Sequence, residues 1–162
     1  MSMISLAKQL FRLLKQHGTR IVFAESCTAG LVSATLARVP GVSQWHCGSA
    51  VTYRSETKTE WLDVSEATLK RHTAVSEPVA RQMAVGVLKK TPEAGLSAAI
   101  TGHLGPDAPT DLDGVVYIGI ARRAGKKIKA VGVWRHQLQQ QTRLQRQKEA
   151  VTLIFEQLLA EL

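Results

Sequence analysis

Ile21-Val22-Phe23-Ala24-Glu25-Ser26-Cys27-Thr28-Ala29-Gly30-Leu31 reads as a strand, a turn and the opening of a helix. The apolar run Ile21–Ala24 is short and β-branched at its start, as a buried strand requires. Leu31, Ala34, Thr35 and Leu36 then recur at helical spacing. Ser26 therefore sits between a strand end and a helix start, near backbone amides without an intrahelical partner. Such amides favour negative charge, which suits a nucleophile or a phosphate contact. The position suits an ordinary N-cap as well.

Outward from this stretch, helices and strands alternate. Leu6, Leu10, Leu13 and Leu14, stopped by Gly18, predict a first helix over about 3–17. Strands are expected over 20–24, 45–53 and 95–101, and helices over 28–38, 55–62, 65–71 and 76–90. The helix at 76–90 opens with Ser76-Glu77-Pro78, a capping side chain, an early acid and a first-turn proline. A hairpin of strands 114–121 and 128–135 turns at Arg123–Lys126, and a last helix runs from about Thr142. The alternation predicts an α/β fold, a layered sandwich whose closing hairpin makes the sheet mixed. The 162 residues suffice for a single domain, 1–162, with its own core.

No apolar run approaches a membrane span, and the N-terminus reads as an amphipathic helix rather than a signal peptide. Two cysteines, Cys27 and Cys47, make neither a disulfide framework nor a zinc set, so the cytoplasm is the expected compartment. Cys27 reads as a nucleophile near a helix start or as a small buried thiol. His72, His103 and His136 stand singly without metal-ligand spacing, and no metal is expected.

Charge is uneven. Residues 1–113 hold 12 basic against 10 acidic residues, and residues 114–162 hold 9 against 3. Nucleic acid binding is not expected from this surplus, because only Tyr117 and Trp134 interleave it and no nucleic-acid module is present. A solvated surface accounts for it, and an acidic partner or a phosphorylated small molecule would fit it too.

Two further segments carry candidate chemistry. Thr101-Gly102-His103-Leu104-Gly105-Pro106 follows a strand, where glycines let amides approach an anion; a plain turn has the same composition. Thr52-Tyr53-Arg54-Ser55-Glu56-Thr57-Lys58 places Tyr53 at a strand end and Lys58 one turn into the next helix. Ser26, Tyr53 and Lys58 could then form a serine–lysine site, with Lys58 as general base. An exposed helical lysine fits the same spacing.

Ala24–Gly30, Val51-Thr52-Tyr53 with Lys58, His72-Thr73-Ala74-Val75-Ser76-Glu77-Pro78-Val79, and Thr101-Gly102 with Gly105-Pro106 occur in that order. Together they resemble the CinA C-terminal domain family, which includes nicotinamide-nucleotide amidohydrolases. The resemblance implies a three-layer α/β/α sandwich and hydrolysis of nicotinamide mononucleotide to nicotinic acid mononucleotide and ammonia, with no cofactor. It makes Ser26 the nucleophile, assisted by Tyr53 and Lys58, with the amides of Cys27, Thr28 and Ala29 at the oxyanion. It places Thr101, Gly102, His103 and Gly105 at the phosphate or ribose, and it implies a homodimer or higher homo-oligomer.

Two segments depart from the family pattern. Asp107–Asp113 replaces a glycine-rich polar loop, and Arg143 and Arg146 stand where the family carries Gly-Asp-Arg and a second arginine. Arg143 and Arg146 are the candidates to complete a phosphate site, since arginine binds phosphate bidentately. His103 would add a donor below its ordinary pKa near 6.5, raising affinity in mild acid. The same departures fit a member that binds a nucleotide or a protein partner without deamidase activity.

Overall fold

A computed structural model describes residues 1–162. The elements run α1 (Met3–His17), β1 (Ile21–Glu25), α2 (Leu31–Ala37), β2 (His46–Val51), α3 (Ser55–Leu62), α4 (Glu66–His72), α5 (Glu77–Lys89), β3 (Leu96–Gly102), β4 (Val115–Ala124), β5 (Lys127–Gln137) and α6 (Arg143–Glu161). Every expected helix and strand is present. Gly18 ends α1 in the left-handed conformation and its amide returns to the Leu14 and Lys15 carbonyls, as a glycine C-cap should. The hairpin strands run further than expected, to Ala124 and from Lys127, because Gly125 (φ 61°) lets the chain reverse tightly.

The sheet order is β2-β1-β3-β4-β5, with β2, β1 and β3 parallel and β4 and β5 antiparallel. This is the mixed sheet the closing hairpin implies. Alternate residues of the strands feed two cores, one on each face. Phe23, Ile100 and Ile118 join Leu10, Leu14, Leu36 and Phe155 of α1, α2 and α6. Val22, Ala24 and Ala99 join Leu62 of α3 and Val79, Met83 and Val87 of α5. Helices on both faces complete a three-layer α/β/α sandwich.

The α5 face is built from small residues so that the helix can lie close. A Cβ at Gly119 of β4 would stand 2.6 Å from the Ala80 carbonyl oxygen of α5. The chain leaves β1 over one face toward β2 and returns over the other toward β3. The C-terminal ends of β1 and β3 therefore diverge at a switch point, where parallel sheets form crevices. Ser26 follows the first of these strands and Thr101 lies at the end of the second.

Candidate active site

The turn after β1 is tied to β3 by the Ser26 amide, which donates to the Ile100 carbonyl at 3.0 Å. Helix α2 then starts at Leu31, later than the expected residue 28, because Ala29 (φ 51°) and Gly30 (φ 96°) take left-handed conformations. Ser26 does not cap this helix. The N-cap is Gly30, and the amides of Gly30, Val32 and Ser33 donate instead to the Glu25 carboxylate at 3.0 Å each. The free amides lie just upstream: those of Cys27 and Thr28 donate to no protein acceptor, whereas that of Ala29 is taken by the Ser26 carbonyl. Two of the three amides expected at an oxyanion are thus unpaired, and of the three residues only Cys27 lines the cavity around Ser26.

Lys58 is 1% exposed. It is not a surface lysine, because the face of α3 that carries it also carries buried Leu62, four residues on, against the α5 core. Its Nζ donates to Ser26 Oγ at 3.0 Å, the Thr52 carbonyl at 2.6 Å and the Tyr53 carbonyl at 3.3 Å. Burial pulls the ammonium pKa down from 10.5 to about 8. An uncharged amine would keep two N–H bonds to the two carbonyls. Its lone pair would then face Ser26, the geometry for taking that hydroxyl's proton. Burial raises the neighbouring Cys27 thiol to about 12, so it stays a neutral small side chain.

Tyr53 is half exposed and meets this pair through its main chain. Its hydroxyl accepts from Arg143 Nη2 at 2.6 Å, and no hydrogen bond joins it to Ser26 or Lys58. Ser26, Lys58, Tyr53, the Thr101–Pro106 segment and Arg143 line one cavity of about 500 Å³. Thr101 donates its hydroxyl to the Ala74 carbonyl, drawing the loop before α5 onto the cavity wall. At Gly102 any Cβ would stand 2.4 Å from Val116 Cγ1, so only glycine fits there. The amides of Leu104 and Gly105 have no protein acceptor. Burial lowers the His103 pKa, outweighing Asp111 and Asp113, so the gain in affinity expected in mild acid is displaced to lower pH.

The two arginines part company. Arg143 Nη1 donates to the Gly105 carbonyl at 2.6 Å, so its guanidinium spans the cavity mouth from Gly105 to Tyr53. Arg146 does not line that cavity. It is 8% exposed and committed to Asp113 (2.8 and 3.3 Å) and to the carbonyls of Gln140 and Leu104. The ion pair braces the 102–113 loop from behind; a Cβ at Gly105 would meet Arg146 Nη1 at 3.0 Å. Hydrogen bonding to Arg146 holds the Asp113 carboxyl below its ordinary range.

Sequence reasoning missed three contributors. Glu25 was placed just past the expected strand and given no role, although an acid following a buried apolar run is itself a signal of an internal partner. Gln147 of α6 reaches the Cys27 and Thr28 carbonyls at 3.4 and 3.3 Å. The third is the pair of Thr52 and Tyr53 carbonyls, which no side-chain pattern announces.

Comparison with known proteins agrees with the fold. The family described as CinA C-terminal domain matches residues 3–162. The nicotinamide-nucleotide amidohydrolase PncC of Escherichia coli (strain K12) is 37% identical over 128 residues, which cover 78% of this chain and 77% of that protein. A CinA-like protein of Synechococcus elongatus is 41% identical over 123 residues, 75% of this chain but only 29% of that longer protein. Among solved structures, the competence-damaged protein (CinA) superfamily protein of Escherichia coli superposes with TM-score 0.89 at 28% identity, covering 99% of this chain and 91% of its own. The competence or damage-inducible protein of Enterobacter asburiae gives TM-score 0.89 at 28% identity, covering 99% and 98%.

Proposed function

The chain belongs to the CinA C-terminal domain family, and we propose that it hydrolyses the carboxamide of nicotinamide mononucleotide, giving nicotinic acid mononucleotide and ammonia. The observation that carries this reading is the buried Lys58 Nζ, 3.0 Å from Ser26 Oγ and bordering a cavity of about 500 Å³. PncC of Escherichia coli, similar over most of both chains, supports the substrate class.

In this reaction neutral Lys58 takes the Ser26 proton as Oγ attacks the carboxamide carbon. The oxyanion is held by the free amides of Cys27 and Thr28. The protonated amine then gives its proton to the departing nitrogen, ammonia leaves, and an acyl ester on Ser26 remains. Water attacks that ester, losing its proton to Lys58, which passes it to Ser26 Oγ as the Oγ–acyl bond breaks and the acid product departs. Tyr53 contributes its carbonyl to Lys58 and its hydroxyl to the placement of Arg143. The phosphate meets Arg143 and the amides of Leu104 and Gly105.

Purified protein given nicotinamide mononucleotide is expected to form ammonia and nicotinic acid mononucleotide in equal amounts. Tight calorimetric binding of the nucleotide with neither product would favour a binding protein instead, a reading that the altered Asp107–Asp113 loop keeps in play. Neither binding nor turnover would remove the proposal.

The arginines give a sharper prediction. Arg143→Ala is expected to weaken nucleotide affinity by about tenfold or more, through loss of a charge-assisted phosphate contact. Arg146→Ala is expected to lower the thermal midpoint by releasing the 102–113 loop. Equal affinity for Arg143→Ala and the parent protein, measured by titration, would move the phosphate elsewhere.

A further inference from the structure

We infer that Glu25 is a positioning residue that builds the oxyanion site from beneath, an inference resting on the amidohydrolase reading above. Glu25 is fully buried at the end of β1, and it pairs with no lysine or arginine. Five donors converge on its two carboxyl oxygens. Oε2 accepts from the Thr28 hydroxyl at 2.7 Å and from the amides of Gly30 and Val32. Oε1 accepts from the Ser33 amide and from Ser49 Oγ at 2.9 Å, on β2.

Three of these donors, the Thr28 hydroxyl and the Gly30 and Val32 amides, bracket Ala29 and Gly30. Those residues hold the left-handed conformations that keep α2 from starting at Thr28. Left-handed alanine costs about 1–2 kcal/mol and persists only where its surroundings impose it. A helix begun at Thr28 would leave its first-turn amides equally without intrahelical partners, but would aim them along the α2 axis. The Glu25 carboxyl instead takes the amides of Gly30, Val32 and Ser33 and so fixes the turn that follows Ser26, in which the Cys27 and Thr28 amides donate to no protein acceptor. Glu25 does not line the cavity, so its effect on the substrate runs through the turn alone.

The test separates this role from general folding support. In Glu25→Gln the carboxamide nitrogen cannot accept, so one of the two oxygen positions faces donors it repels. With nicotinamide mononucleotide, kcat is expected to fall on the order of tenfold to a hundredfold, as misplacement of a reacting group does, while KM stays within about twofold. The rate at which a fluorophosphonate labels Ser26, where Oγ displaces fluoride and the phosphoryl oxygen occupies the oxyanion site, is expected to fall by a similar factor. Thr28→Val, which removes a single donor, supplies the reading if Glu25→Gln does not fold, with a smaller loss in the same two quantities.

A folding role alone would lower the thermal midpoint and leave kcat and labelling of the folded fraction unchanged, and that result overturns the inference. If the unaltered protein is labelled at Ser26 but does not turn over nicotinamide mononucleotide, the substrate reading fails, and the labelling rates of the variants decide the role of Glu25. An unlabelled and inactive protein overturns both.

Discussion

Ser26→Ala and Lys58→Met are each expected to reduce ammonia release from nicotinamide mononucleotide on the order of a thousandfold or more. The two groups meet at 3.0 Å and act as one unit, nucleophile and base. The double variant should therefore be no slower than the worse single one, because removing either member already removes the proton transfer. The parent's pH profile should follow the amine. The reactive form is uncharged, so kcat/KM is expected to rise about tenfold per pH unit in the acid range and level off above about 8, where Lys58 titrates. A flat profile between pH 6 and 9, or a Ser26→Ala protein with parental activity, would remove this pair from the mechanism.

The same titration has a stability signature with a definite sign. In the unfolded chain Lys58 keeps its ordinary pKa of 10.5, and in the folded protein burial lowers it to about 8. Below pH 8 both states carry the proton and the fold bears the full cost of a buried ammonium, about 3 kcal/mol from the size of the shift. Between about 8 and 10.5 the unfolded chain binds more protons than the folded one, so the Lys58 contribution to stability improves as pH rises. Lys58→Met cannot titrate. Measured by denaturant unfolding, the stability difference between variant and parent is expected to shift toward the parent by about 3 kcal/mol across that window.

Much of this was legible in the residues, for identifiable reasons. Elements that carry their own punctuation, such as α1 before Gly18 and α5 after Ser76-Glu77-Pro78, are readable because caps and breakers are local. The start of α2 is not local. It depends on Glu25 reaching amides up to eight residues on, with a further tie to Ser49 of β2. Lys58 was readable as a candidate base but not as buried, since α3 carries a weak apolar stripe with Trp61 half exposed beside Leu62. Arg143 and Arg146 stand one turn apart, so spacing puts them on one face. Only the fold brings Asp113, 33 residues earlier, beneath Arg146 and separates the cation that faces the cavity from the one that braces its wall.

Gly86→Ala is expected to destabilise the protein by about 3 kcal/mol, in the direction opposite to helix propensity. In an exposed helix interior the same change would stabilise by about 0.5–1 kcal/mol, since alanine loses less backbone entropy. In α5 the new Cβ would stand 2.0 Å from the Leu62 carbonyl oxygen and 2.9 Å from its carbon, both backbone atoms at the end of α3. An ordinary carbon–oxygen contact is about 3.3 Å or more, so α3 and α5 must separate by about an ångström. No flexible side chain can absorb that shift. The thermal midpoint should fall on the order of 10 °C for a chain of this length. Activity should fall as well, because Lys58 lies one turn before Leu62 on the helix that moves. A displacement of about 1 Å in the Ser26–Lys58 contact is worth on the order of a hundredfold in kcat. Gly18→Ala is the control. Its left-handed φ of 62° strains alanine by about 1–2 kcal/mol, but nothing lies within 4 Å and the residue is remote from the cavity. It should lower the midpoint slightly and leave kcat unchanged at temperatures where it is folded. A Gly86→Ala protein with parental midpoint and parental kcat would show that close packing of α3 on α5 does not set the distance between the lysine and the serine.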